Sequence, residues 1–150
     1  MPLKDRLDED LKSAIRAQDA LRRSVLRSLR SEVHNEEIAQ QKPLDDDDAI
    51  IGVISRQVRQ RRESISEFRK GNRDDLVQRE ESELSVLLEY LPQQLTPEEI
   101  TDMAREAVSE VGARGPGDKG RVMGKLMPMV RGRADGSVVN EVVTGILEAM

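Results

Sequence analysis

Cysteine is absent from the 150 residues, and with it go disulfides, thiolate nucleophiles, Cys-ligated zinc and iron–sulfur centres. Tryptophan is absent too, and one Tyr and one Phe are the whole aromatic complement. Base stacking on aromatic rings is therefore not available, and any nucleic-acid contact must read backbone shape rather than single-stranded sequence. The single histidine, His34, has no second imidazole with which to share a metal, which argues against a catalytic transition metal. The opening Met1-Pro2-Leu3-Lys4-Asp5-Arg6 lacks the apolar core of a signal peptide, and no uncharged run is long enough to span a bilayer. These absences predict a soluble cytoplasmic protein with no membrane contact, no metal and no cofactor.

What is present is charge in a regular pattern. Charged residues make up 35% and apolar residues 37%, with a formal net charge of −5. That balance is too charged for a membrane protein and too regularly patterned for a disordered one. Seven of the ten glycines fall between Gly112 and Gly136, which marks a change of composition after Pro92. Two lobes are predicted, residues 1–92 and 93–150. The first carries 17 Lys+Arg against 20 Asp+Glu and the second 7 against 9, so neither lobe as a whole is basic. At its size the second is marginal alone, and the reading has it lean on the first lobe or on a partner.

Every apolar run follows the helical period rather than the alternation of a strand, and the fold class predicted is all-α. Leu7, Leu11, Ala14/Ile15, Leu21, Val25, Leu29 and Val33 read as the stripe of one long helix. Asp45 to Asp48 open a second helix through Ile50/Ile51, Ile54, Val58, Ile65 and Phe68, ending near Gly71. Asn72 is read as the cap of a third, through Leu76/Val77, Leu84, Leu87/Leu88 and Leu91, which Pro92 stops. These three form a bundle or hairpin of long helices. Thr96-Pro97-Glu98-Glu99 is a capping box with Pro at the first helical position, the strongest local signal in the chain. Its helix, closed by Gly112, is followed by a short one through Val122/Met123 and Leu126/Met127, broken by Pro128 and Gly132. A last helix is expected with Ser137 as its cap, which completes a small C-terminal three-helix lobe.

No set of residues assembles a nucleophile, a base and an oxyanion site, so no catalytic residue is named. Asp45 to Asp48 read as a solvated helix start, because consecutive carboxylates point around the axis and the calcium-loop pattern fails at Ala49 and Ile50. His34 reads as a surface or capping residue, and Met103, Met123, Met127 and Met129 as core filling. Arg16, Arg23, Arg27 and Arg30 form a stripe that Glu80, Glu81 and Glu83 are expected to neutralise across the bundle. The informative cluster is Arg114, Lys119, Arg121, Lys125, Arg131 and Arg133 against the single acid Asp118, a local net of plus five set among glycine-rich turns. Exposed backbone amides and cations together suit phosphate. Pairing with acids elsewhere is the competing account of the same residues.

Four strings carry a resemblance. They are Gln60-Arg61-Arg62-Glu63-Ser64-Ile65 with Phe68; Glu89-Tyr90-Leu91-Pro92-Gln93-Gln94-Leu95; Lys119-Gly120-Arg121-Val122-Met123-Gly124 with Leu126-Met127-Pro128; and Gly132-Arg133-Ala134-Asp135-Gly136. In that order, from about Leu7 to the C-terminus, they resemble the GatB/YqeY family: freestanding proteins of this length and the tail of the B subunit of the tRNA-dependent amidotransferase. The resemblance implies an all-helical two-lobed fold and a place in translation. In the amidotransferase the chemistry belongs to other domains, while the tail reaches the outer corner of the tRNA. Carried over, this implies a non-catalytic tRNA-associated accessory protein whose RNA-facing residues are Lys119, Gly120, Arg121, Lys125, Arg131 and Arg133, with Arg121 standing where the family usually has Lys. The alternatives are a module holding a protein partner of aminoacylation or amidotransfer, and a carbon–nitrogen ligase activity with glutamine as amido donor, an assignment that looks inherited from the larger enzyme.

Overall fold

The computed structural model describes residues 1–150 and is helical throughout, with no strand. The chain divides into two compact units, Met1–Leu91 and Pro92–Met150. The first holds α1 (Leu3–Arg16), α2 (Ala20–Gln40), α3 (Asp47–Lys70) and α4 (Asp74–Leu88). The second holds α5 (Pro97–Val111), a short 3₁₀ turn (Pro116–Asp118), α6 (Lys119–Val130) and α7 (Gly136–Glu148). No helix is long and apolar enough to cross a membrane.

The single long helix expected over Leu7 to Val33 is two helices. Gln18 takes a left-handed conformation (φ 55°), and Asp19 then caps α2 by accepting a bond from the Arg22 amide at 3.0 Å. The chain reverses there, so Lys4 meets Glu37 and Asp8 meets Arg30 across an antiparallel pair. The next turn also differs from expectation. Gly71 is in an ordinary conformation, and Asn72 is the left-handed residue (φ 55°) rather than the cap of α4. Asparagine tolerates this region better than most side chains, so it closes α3 as glycine would.

The core of the first unit is built from the apolar stripes. Leu26, Leu29, Ile50, Ile54 and Leu87 are essentially sealed from solvent, each contributing about 1.5–3 kcal/mol by burial. Polar ties fix the helices around that core. The Leu3 amide donates to Asp47 Oδ1 at 2.9 Å, so a carboxylate from the start of α3 caps α1 as well. Glu37 accepts from Lys4 Nζ (2.9 Å) and from the Leu44 amide (2.8 Å), which holds its carboxyl below the ordinary value of 4.5. Tyr90, buried at the end of the unit, donates to Asp10 at 2.6 Å with the Arg6 guanidinium 4.7 Å from its ring. Burial and that bond push its phenol well above the ordinary value.

The expected neutralisation of the Arg16, Arg23, Arg27 and Arg30 stripe by Glu80, Glu81 and Glu83 does not occur. Arg61 of α3 bonds both Glu80 (3.2 Å) and Glu83, and Arg69 takes Glu81. Arg61 and Glu83 keep only 15% and 10% of their side-chain surface exposed. The reason is register: the tight turn at Gly71–Arg73 lays α4 back along α3, so the acids of α4 meet the arginines of α3 first.

In the second unit the capping box forms in both directions, Thr96 Oγ1 accepting from the Glu99 amide at 3.1 Å and Glu99 Oε1 from the Thr96 amide at 3.0 Å. Gly112 supplies the left-handed closure of α5 (φ 67°). Pro128 lies inside the last turn of α6 instead of ending it, because the Gly124 carbonyl it leaves unbonded is on the exposed side. Asp135, not Ser137, caps α7, and the Ser137 amide and hydroxyl both donate to it. Val122, Leu126, Val130, Val139, Val143 and Leu147 make a dry core with Ala104. Met103, Met123 and Met127 pack against it, as core filling requires, while Met129 is 49% exposed.

Three stability outcomes follow. Glu83→Ala leaves Arg61 with Glu80 alone and costs about 1.5–3 kcal/mol in urea unfolding, whereas Thr96→Ala removes a cap worth about 1 kcal/mol. For Glu37 the depressed carboxyl means that its contribution is complete above pH about 4.5 and fades as pH falls through the lower native value. The stability gap between wild type and Glu37→Gln is accordingly larger at pH 7 than at pH 3; an equal gap at both would show that the Lys4 pair is idle.

Candidate nucleic-acid interface

α6 has two faces of opposite character, set by the helical period. Val122, Leu126 and Val130 turn inward, while Gly117, Gly120, Arg121, Gly124, Lys125 and Pro128 form a continuous exposed strip. A side-chain carbon added at Gly117, Gly120 or Gly124 would meet nothing within 4 Å. These glycines are therefore not required by packing. Each glycine inside a helix costs about 0.8–1.0 kcal/mol relative to alanine. Gly52 stands singly on α3, and Gly145 lies more than two turns from Gly136 on α7, whereas Gly120 and Gly124 fall together on one open face.

The cations around this strip divide into two groups. Arg121 bonds Asp118 at 3.2 Å and also donates to the Val111 carbonyl, which ties α6 to the end of α5. Lys125 pairs with Glu110 at 2.8 Å, and that bond pushes its ammonium above the ordinary value. Asp118 also accepts from the Arg114 amide at 2.9 Å; this bond and the neighbouring arginines hold its carboxyl below the ordinary value. Arg121 and Lys125 thus have structural partners inside the unit. Lys119, Arg131 and the Arg114 guanidinium have no carboxylate at salt-bridge distance.

Arg133 belongs to a third arrangement. Its Nε donates to the Gln93 carbonyl at 3.4 Å, the Leu95 amide donates to the Arg133 carbonyl at 2.8 Å, and Gln94 Nε2 donates to the Gly132 carbonyl at 2.7 Å. The segment after Pro92 is thereby fastened to the turn between α6 and α7. That turn needs Gly132, which is buried and left-handed (φ 76°). Two strings far apart in sequence, Gln93-Gln94-Leu95 and Gly132-Arg133, are one structural feature. Their shared role was invisible in sequence because each bond ends on a backbone carbonyl, which residue type does not report.

Elsewhere the other candidates resolve differently. His34 is exposed and lies before the last turn of α2, whose closing residue is Gln41. Of the acidic run, Asp46 caps α3 and Asp47 caps α1, while Asp45 is 81% exposed beside Lys4. No group of three or more His, Asp or Glu gathers in a metal-holding arrangement. Arg16 falls on α1 and donates to Ser13, so it is separated from Arg23, Arg27 and Arg30 on α2.

A family profile described as Yqey-like protein matches residues 4–147. Among similar proteins, "Altered inheritance of mitochondria protein 41, mitochondrial" of Pyrenophora tritici-repentis is 31% identical over 147 residues, covering 96% of this chain and 80% of that protein. The protein of the same name from Lachancea thermotolerans is 48% identical over 88 residues, 58% of this chain and 46% of that protein. The one from Saccharomyces cerevisiae is 36% identical over 87 residues, 58% and 47% respectively. The chain thus spans about half the length of the Lachancea and Saccharomyces proteins. These names correct the expectation of a cytoplasmic location, since the relatives are named for mitochondria. The expectation rested on the lack of a secretory or spanning segment, and that lack does not distinguish one aqueous compartment from another. By the match over nearly its whole length, the chain belongs to the Yqey-like protein family.

Proposed function

We propose that the protein is a non-catalytic accessory factor that docks on the sugar–phosphate backbone of tRNA through the exposed strip of α6. The observation that carries this reading is the side-chain-free strip Gly117, Gly120 and Gly124, with Lys119 at the start of α6 and Arg131 just past its end, two cations that lack carboxylate partners. Glycines let a backbone approach a phosphate chain closely, and unpaired cations can release its counterions. The resemblance to the tail of the amidotransferase B subunit supports tRNA as the RNA in question. Among the residues that resemblance implies, Lys119, Gly120 and Arg131 are the direct contacts in this proposal. Arg121 and Lys125 shape the surface from within their ion pairs, and Arg133 holds the turn beside it.

The test is fluorescence anisotropy with unfractionated tRNA across a salt series. The affinity of wild type falls linearly in logarithm with salt, and Lys119→Glu/Arg131→Glu loses about tenfold or more at low salt with a slope shallower by about two. Absence of wild-type binding at about 50 mM salt overturns the reading.

Gly124→Leu separates binding from folding. The added Cβ meets no protein atom within 4 Å on an exposed face, so unfolding stability holds or rises by about 0.5 kcal/mol, yet the side chain stands where the backbone must approach and weakens tRNA binding. Unchanged affinity in that variant would show that the glycine face is not the contact.

A further inference from the structure

α2 carries a second row of cations that the fold leaves unneutralised. Arg23, Arg27, Arg30 and His34 follow one another at spacings of four, three and four, so they share a narrow arc of the helix over about 16 Å of axis. Arg23 and Arg27 have no carboxylate at salt-bridge distance, and Arg30 reaches only Asp8, at 3.6 Å with 67% of its side chain exposed. Of the acids of α2 only Glu37 borders the row, at its His34 end. Glu36 bonds Arg56 and Gln40, Glu37 bonds Lys4, and Glu32 lies on the opposite side of the helix by the 100° turn per residue. At its His34 end the row borders a groove of about 500 Å³ between α1 and α2, which Lys4, Asp8, Arg30 and Asn35 also line.

We infer that the Arg23–Arg27–Arg30–His34 row is a second docking surface for the phosphate backbone of RNA. The inference rests on the RNA-binding reading above and adds a contact in the other unit. Its chemistry fits phosphates better than a protein partner. Protein interfaces centre on apolar and aromatic anchors with charge at the rim, whereas nucleic-acid interfaces are polar and strongly cationic. Along the row only polar residues accompany the arginines; the exposed Leu21 lies on the far side of α2, and the exposed Ile38 lies one turn beyond His34. Over about 16 Å the row is long enough to face several successive phosphates of one strand. Arginine, always charged and able to grip two phosphate oxygens at once, is the side chain such a surface needs.

The experiment compares wild type, Arg23→Gln/Arg27→Gln, Asp8→Asn and Lys119→Glu/Arg131→Glu in tRNA anisotropy over a salt series, with folding followed by circular dichroism. Arg23→Gln/Arg27→Gln alters only unpaired, solvent-facing ends and weakens binding about fivefold or more, with a slope shallower by about one and a half to two. Asp8→Asn frees Arg30 and tightens binding severalfold, an outcome that no folding defect produces. If both first-unit variants bind as wild type does while Lys119→Glu/Arg131→Glu has lost affinity, the row is idle and the inference fails with the proposed function intact. If the reverse holds, the row stands and the α6 site falls. Polyglutamate that displaces tRNA at equal charge concentration would overturn the RNA assignment in favour of an acidic protein segment. A wild-type chain that binds no tRNA overturns both readings.

Discussion

A guanidinium that must be buried governs the surface of the first unit. Arg61 projects from α3 into the seam with α4, where an unpaired charge would cost several kcal/mol, and Glu80 and Glu83 are the groups that answer it. This pairing sets the register of α4 along α3, and the Arg69–Glu81 bond further along the seam repeats it. A buried ion pair adds little net stability over an apolar contact of the same volume. What it confers is selectivity, since sliding α4 by one turn would leave a charge in the seam without a partner. The consequence reaches beyond the seam: three acids of α4 are consumed there, and Arg27 and Arg30 of α2 are left facing solvent.

The second unit applies the same economy of acids to a different end. Glu110 and Asp118 are occupied by Lys125 and Arg121, which fasten α6 to α5, so the cations beyond them have no carboxylate at salt-bridge distance. Meanwhile the clamp between Gln93-Gln94-Leu95 and Gly132-Arg133 holds the turn at the far end of α6. Between these two fixed ends the helix can present glycines without losing its position, because its hold on the unit comes from Val122, Leu126 and Val130 on the inner face. The cost of glycine in a helix is small against that burial.

Local chemistry was legible in the sequence and relational chemistry was not. The capping box at Thr96–Glu99 and the left-handed Gly112 involve residues within one turn of each other, so residue type alone specifies them. The all-α fold was legible because apolar spacing reports the helical period directly. The reversal at Ala17–Asp19 was hidden because its left-handed residue is Gln18, not glycine, and the stripe on either side keeps nearly the same phase. The only sign was the six-residue gap between Ile15 and Leu21 with Asp19, a capping residue, inside it. Asn72 misled in the same way, since asparagine serves both as a helix start and as a left-handed stop. Which acids meet which arginines depends on register between helices, and no spacing along one chain contains that information. The basic cluster around α6 was visible, but its division into paired and unpaired cations was not.

The proposed docking of an acidic chain on a polyanion is no contradiction, because of the distance scale of screening. At physiological ionic strength the Debye length is about 8 Å, so a phosphate lying on α6 or α2 responds to charges within that radius and hardly to the net −5 of the whole chain. Carboxylates such as Glu83, Glu37 and Glu110 are held in pairs of their own and add little net charge around them. The overall charge still acts on the approach, where the fields of many groups sum at a distance, and it slows encounter with any polyanion. Under the proposed function, such a molecule would reject loose electrostatic capture and hold only those backbones that align several phosphates with fixed cations at once. Selectivity for a folded RNA over an arbitrary strand would then come from the spacing of the free arginines and lysines, a geometry that the buried pairs elsewhere in each unit maintain.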